Sequence, residues 1–156
     1  MRCFIGSILS EDDQRRLSAL RPDLNERDVR WVNPSKYHLT LQFLGNDVKR
    51  EDLVQHWTQV NTWRSRFPIT CTSVSFSGFP NRRRARVFVS LLDSCGRLEA
   101  LRPEQRLFLP HITLGYARGK PIDIPDWSAN VSITIPEPTL IESSQGKYKI
   151  LEPEAR

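Results

Sequence analysis

The sequence predicts a single α+β domain built of two similar lobes, and three observations predict it. Apolar residues recur at strand period along most of the chain and at helical period in two stretches, after Ser10 and over residues 47–64. A short His-apolar-Thr-Leu phrase occurs twice, beginning at His38 and again 73 residues later at His111. The 156 residues, 38% of them hydrophobic, suffice for one domain with an ordinary core.

Residues 3–9 form an apolar run that reads as a strand, ended by Ser10. Glu11, Asp12 and Asp13 then supply the acidic first turn of a helix, with Leu17, Leu20 and Leu24 as its stripe and Pro22 obscuring its end. Val29 to Val32 is extended, Asn33-Pro34-Ser35 breaks the chain, and His38 to Leu44 alternates strictly up to Gly45. A second helix is expected over 47–64, capped by Asp47, with Leu53, Trp57, Val60 and Arg64 along one face and Val54 beside them. From Pro68 the pattern turns to β, and a change of parity between Cys71 and Val74 predicts a bulge near Thr72-Ser73. Asn81 to Arg84 forms a turn, Val87 to Leu92 a strand, Leu98 to Leu101 a short helix at most, and Leu107 to Ala117 a further strand. Val131, Ile133 and Ile135 alternate with polar residues, and Thr139–Glu142 and Tyr148–Leu151 flank a turn as a closing hairpin.

Composition narrows the function classes. No stretch approaches the roughly 18 to 20 apolar residues that span a bilayer, and the N-terminus lacks a secretory pattern, so a cytoplasmic protein without membrane association is expected. Cys3, Cys71 and Cys95 have neither disulfide-framework nor zinc spacing and read as reduced, mostly buried thiols. A net charge of +5 and a pI near 9.4 suit a polyanionic partner without requiring one.

The repeated phrase carries the chemistry. His38-Leu39-Thr40-Leu41 and His111-Ile112-Thr113-Leu114 account for two of the three histidines, a coincidence expected by chance on the order of one time in a hundred. A lone strand histidine is more often structural, and threonine is a good strand former; the repetition argues for a shared purpose. Alternation puts His38 and Thr40 on one face and Leu39 and Leu41 on the other, and likewise for the second unit. Two similar lobes facing across a cleft would bring two imidazoles and two hydroxyls into one pocket. Such a pair can hold one neutral and one protonated ring near neutral pH, which is what cleaving a phosphodiester requires. The hydroxyls can bond the nonbridging phosphate oxygens. No Cys, Asp or Glu has a useful ligand spacing around either unit, so neither a metal nor a cofactor is expected.

At these residues the chain resembles the two-histidine (2H) phosphoesterases, defined by two His-x-Thr motifs, and within them the RNA 2′,3′-cyclic phosphodiesterases, also called 2′-5′ RNA ligases. The resemblance takes in Met1-Arg2-Cys3-Phe4-Ile5-Gly6, Arg30-Trp31-Val32, Tyr37 to Gly45, Phe79 to Val87 and Pro110 to Leu114, in that order. It implies a bilobal α+β fold of two antiparallel sheets with outer helices, related by a pseudo-twofold axis across a catalytic groove. It also implies roles: His38 as proton donor to the leaving 3′-oxygen, His111 as the base that activates water, and Thr40 and Thr113 as phosphate ligands. The symmetry of the motifs leaves the order of acid and base to the resemblance alone. The implied substrates are RNA with 2′,3′-cyclic phosphate ends or cyclic nucleotides, and the protein is expected to be a monomer. The alternatives are 2′-5′ ligation, another small cyclic phosphate, or an RNA-binding module without turnover.

Two departures stand out. About twenty residues separate Leu91 from His111 where the family carries a longer helical segment, so the second lobe's helix is expected to be reduced. The family also places an arginine shortly after the second motif, where this chain has Tyr116 followed by Arg118, and these two are the further candidate substrate-binding residues. On an undistorted strand Arg118 points away from the His111 face unless a bulge or turn near Gly119 redirects it. Phe4 is read either as a stacking platform for a base or as core. Arg82, Arg83, Arg84 and Arg86 form either an RNA-backbone contact or a solvated turn. Trp31 and Trp57 are packing residues, and His56 has no assigned role.

Overall fold

Strand β1 (Arg2–Ile8) ends at Ser10, whose hydroxyl caps α1 (Glu11–Leu20) by accepting from the Asp13 amide. The structure, a computed structural model, describes residues 1–152. Next come β2 (Val29–Trp31), β3 (His38–Gly45), α2 (Leu53–Arg64), β4 (Ile69–Cys71), β5 (Ser73–Phe79) and β6 (Val87–Asp93). The chain continues through β7 (His111–Ala117), β8 (Ser128–Ala129), β9 (Ile133–Ile135), β10 (Thr139–Ser144) and β11 (Lys147–Leu151).

The main sheet has the order β11-β10-β1-β3-β7-β6-β5-β8, with β2 paired to β7. Every pairing is antiparallel, and the order is symmetric about the β3–β7 junction, with four strands on each side. The halves meet through one residue pair, Leu39 opposite Ile112, the two middle residues of the repeated phrases. Leu39, Leu41, Ile112 and Leu114 point into the core, as the alternation predicts. The α+β fold is the one expected, and helices are unevenly shared between its halves. Helix α2 packs against β10, and α1 is tied to β9 where the buried Asp13 carboxylate accepts from the Thr134 amide at 2.9 Å. Among the described residues the second half carries only the 3₁₀ turns Arg82–Arg84 and Glu99–Leu101, so its helix is indeed reduced.

Several boundaries differ from expectation for local reasons. Asp47 does not cap α2: Val48 exchanges backbone hydrogen bonds with Met1, keeping this segment out of the helix, which starts at Leu53 after a 3₁₀ turn. The buried face of α2 is Trp57, Val60 and Trp63, while Val54 is exposed. The expected bulge near Thr72 is a break between sheets, with β4 pairing β9 and β5 pairing β6 and β8. The strand expected from Leu107 begins only at His111, because turn bonds among Arg102, Gln105 and Phe108 hold the preceding segment irregular and Pro110 has no amide to donate. Leu24 lies beyond α1, which stops at Leu20 ahead of Pro22. Cys3 and Cys71 are buried and Cys95 is exposed, all three as free thiols; burial pushes the Cys71 thiol up to about 12. Among the described residues no helix is long and apolar enough to cross a membrane.

The strict alternation of β3 and β7 is broken at an equivalent point in each, and β3 is broken a second time at Leu44, between the pairs Phe4–Phe43 and Cys3–Gly45. Strand β1 pairs Gly6 with Thr40 and Ile5 with Gln42, leaving Leu41 as an extra residue in β3. Strand β6 pairs Val89 with Thr113 and Phe88 with Gly115, leaving Leu114 as an extra residue in β7. Each phrase therefore ends in a β-bulge on its leucine. Gly6 lets β1 approach closely here, since a Cβ on it would lie 2.3 Å from the Leu39 carbonyl oxygen.

Candidate active site

The antiparallel register at the junction sets the geometry. With Leu39 opposite Ile112, one further step along the strands brings His38 across from Thr113 and Thr40 across from His111. Both imidazoles are oriented in the same way. Nδ1 of His38 donates to the carbonyl of Lys36 at 2.9 Å, and Nδ1 of His111 donates to the carbonyl of Leu109 at 2.8 Å, each two residues upstream. A carbonyl can only accept, so in the neutral rings the proton sits on Nδ1 and Nε2 carries the lone pair. Nε2 of His38 lies 3.1 Å from the Thr40 hydroxyl.

The two rings differ in their surroundings. His38 is packed between Phe4, with centroids 4.8 Å apart, and the edge-on ring of Tyr148 at 5.0 Å. His111 meets Phe79 edge-on at 5.0 Å. Burial pushes the His38 imidazole below its ordinary value of 6.5; the Lys36 carbonyl pulls it back up, and charge on His111 pushes it further down.

A cavity of about 200 Å³ opens beside His38. Its lining combines His38, Thr40 and Thr113 with the aromatic side chains of Phe4, Phe43, Tyr116 and Tyr148 and the cations Arg2 and Lys36. The bulges explain why Phe43 and Tyr116 face it. Each lies five residues after its histidine, a parity that an undistorted strand would turn away, and the extra leucine restores it to the His-Thr face. Phe43 is 48% and Tyr116 39% exposed, and each has a guanidinium over its ring: Arg2 at 4.6 Å from Phe43 and Arg30 at 4.9 Å from Tyr116.

The structure thus brings His38, Thr40, Thr113, Phe4 and Tyr116 to one cavity and sets His111 at the junction, outside the cavity's lining. Phe4 is buried and lies against His38, so it is a core residue and a wall of the site at once. Arg118 is not brought in: β7 ends at Ala117, and the exposed Arg118 bonds through its amide to the Asp28 carbonyl at 2.8 Å. Within the basic turn, Arg82 donates to the Ile124 carbonyl at 2.7 Å and Arg86 to the Gly119 carbonyl; Arg83, Arg84 and Arg86 are exposed. Trp31 packs on Phe88, Trp57 is buried under Arg64, and His56 sits half-buried on α2.

Sequence reasoning missed Arg2, Lys36, Phe43, Ser143 and Tyr148 as lining residues. The first two had a signal, a cation at the start of the opening strand and another two residues before His38. Tyr148 reaches the site from a hairpin more than a hundred residues away, and nothing local marks it.

Residues 8–89 match the LigT-like phosphoesterase family. The RNA 2′,3′-cyclic phosphodiesterase of Thermotoga maritima is 30% identical over 139 residues, covering 78% of this chain and 72% of that protein. Among solved structures, a Thermus thermophilus protein superposes with a TM-score of 0.75 at 22% identity over 97% of this chain and 96% of its own. E. coli LigT complexed with 3′-AMP superposes with a TM-score of 0.71 at 24% identity over 97% of this chain and 95% of its own. With two His-x-Thr units meeting at the junction of a symmetric antiparallel sheet, and with this sequence match, the chain belongs to the LigT-like family of two-histidine phosphoesterases.

Proposed function

We propose that this phosphoesterase hydrolyses 2′,3′-cyclic phosphates at the ends of RNA or on nucleotides, giving 2′-phosphomonoesters, by acid–base catalysis between His38 and His111 without a metal. The observation that carries this reading is the paired imidazole geometry, each ring held at Nδ1 by a carbonyl so that Nε2 is its working atom. In the forward step His111 Nε2 takes a proton from water as the oxygen attacks phosphorus. The bond from phosphorus to the 3′-oxygen breaks, and His38 Nε2–H protonates that oxygen. The histidines finish with protonation states exchanged and are reset through solvent. Thr40 and Thr113 hold nonbridging oxygens as charge builds on them. The name of the Thermotoga maritima relative and the 3′-AMP bound by E. coli LigT support a nucleotide phosphate in this groove.

The test is direct. Purified protein in EDTA at pH 6 to 8 should convert a 2′,3′-cyclic nucleotide or oligonucleotide to the 2′-phosphate. His38→Ala and His111→Ala should each lose a factor of about 10² or more in kcat while remaining folded. RNA binding without turnover would leave a binding module instead, and full activity in either variant would exclude the two-histidine scheme.

A further inference from the structure

A separate cavity of about 360 Å³ opens at one end of the second half, where β5 begins and β6 ends in the register Ser73–Asp93 and Ser75–Leu91. Leu91, Leu92, Leu109 and Pro110 give it apolar walls, and among the described residues its charged lining is Asp93 and Glu99, with no cation. Neither carboxylate forms an ion pair among those residues. The loop before β7 presents the opposite combination beside it. Amide bonds from Gln105 to the Arg102 carbonyl and from Phe108 to the Gln105 carbonyl fold this loop into turns. The half-buried Phe108 ring lies inward, 6.0 Å from the buried Arg102 guanidinium. Leu107 is left 95% exposed, with the exposed Arg106 before it, and two residues on Leu109 is already a wall of the cavity. A knob of one leucine and one guanidinium therefore stands next to a hole of apolar walls and two carboxylates.

In its own chain Leu107 stays outside the cavity and buries almost nothing, which for a leucine set beside an apolar cavity marks a contact surface. Across a twofold axis a second copy offers what each feature lacks. Each Leu107 meets the other copy's apolar walls, and each Arg106 meets the other copy's Asp93 and Glu99, so the contact is made twice and no knob or hole is left over. We propose that this face joins two copies of the chain into a closed dimer, with Arg106 and Leu107 of each seated in the other's cavity. The two carboxylates repel a nucleic acid here, and the match of apolar and charged parts on one face is what a self-complementary contact requires. A dimer departs from the monomer that the family resemblance implies. The same loop supplies the Leu109 carbonyl that orients His111, so the contact lies against the segment that holds the proposed base.

The experiment is sedimentation equilibrium of the full chain between about 1 and 200 μM in low salt. The mass should rise with concentration from one chain toward two and stop there. Leu107→Asp should raise the dissociation constant by about a hundredfold or more, since two leucines per dimer lose their burial, while the urea midpoint stays that of the wild type. Arg106→Glu should weaken association several-fold, and adding Glu99→Arg to the same chain should restore it, a rescue that a purely structural role of either residue does not produce. A wild-type chain that stays monomeric throughout, a Leu107→Asp variant that associates like the wild type, or a mass that grows past two copies would each overturn the closed dimer. Mass is read without substrate, so failure here leaves the hydrolase reading as it stands, and failure of hydrolysis leaves the dimer.

Discussion

His38 and His111 come from the same phrase and share the same Nδ1 anchor, yet His38 sits among Phe4 and Tyr148 where a charged ring is disfavoured. The proposed acid therefore starts from an environment that favours its neutral form, and the anionic substrate must supply the field that makes its imidazolium favourable. The sign follows: kcat/KM reports the free protein, where protonated His38 is lost as pH rises through a value below 6.5, whereas kcat reports the complex, where the phosphate raises that value. The alkaline limb of kcat/KM should lie at lower pH than the alkaline limb of kcat, and coincident limbs would argue against His38 as the acid. The same burial affects stability. Above 6.5 the ring is neutral in both folded and unfolded chains and contributes no pH dependence; as pH falls below 6.5 the unfolded chain takes up the proton first, so stability drops until the folded ring also titrates. His38→Gln should flatten the fall in the urea midpoint between pH 7 and 5, and an unchanged fall would place its origin at other groups.

At the scale of elements, the phrase His-x-Thr-Leu was legible as two strands that bury their apolar residues and share an opposite His-Thr face, but the structural job of its leucine was not. Leu41 and Leu114 look like ordinary core residues in the alternation, and both are indeed buried. Their second role, as the extra residue of a bulge, appears only in the pairing with β1 and β6, which a single strand's sequence does not contain. This is why Phe43 went unread and why Tyr116, rather than Gly115, faces the cavity. Other departures have the same origin, in contacts between distant segments: Met1 with Val48 at the head of α2, and β9 drawing β4 away from β5. A bulge also needs its backbone satisfied. The buried Arg102, on the loop before β7, donates to the carbonyl of Leu41 and is itself held by Glu104 at 2.7 Å. Arg102→Met removes that donor while keeping much of the stem's bulk, leaving a buried carbonyl unpaired at a cost of about 1–3 kcal/mol. The variant should unfold at lower urea and lose kcat through the displaced Thr40 and Phe43, although Arg102 does not line the cavity. A variant with wild-type stability and activity would show that the bulge holds without it.

Across the whole molecule, the spacing of the two phrases was enough to read a twofold arrangement, and the strand order bears it out around the β3–β7 junction. How the halves are joined was not readable. A single backbone pair, Leu39 with Ile112, would be a weak hinge if the halves had separate cores. They do not: one cluster of buried side chains runs from Ile5 and Leu140 on the first half through Leu39, Leu41, Ile112 and Leu114 to Phe76 and Phe88 on the second. The junction that carries the two imidazoles therefore lies over continuous packed core, and its geometry is set by the residues between each His and Thr. Packing of this kind predicts one cooperative transition instead of two. Leu39→Ala removes a buried side chain at the junction and should cost about 2–5 kcal/mol. Hydrogen exchange under conditions of global unfolding should then show β1 and β6 losing protection by the same amount, although β6 is two strands away from the substitution. Loss confined to β1 and β3 would mean that the halves open separately, and the two histidines could then be held together only in the complex with substrate.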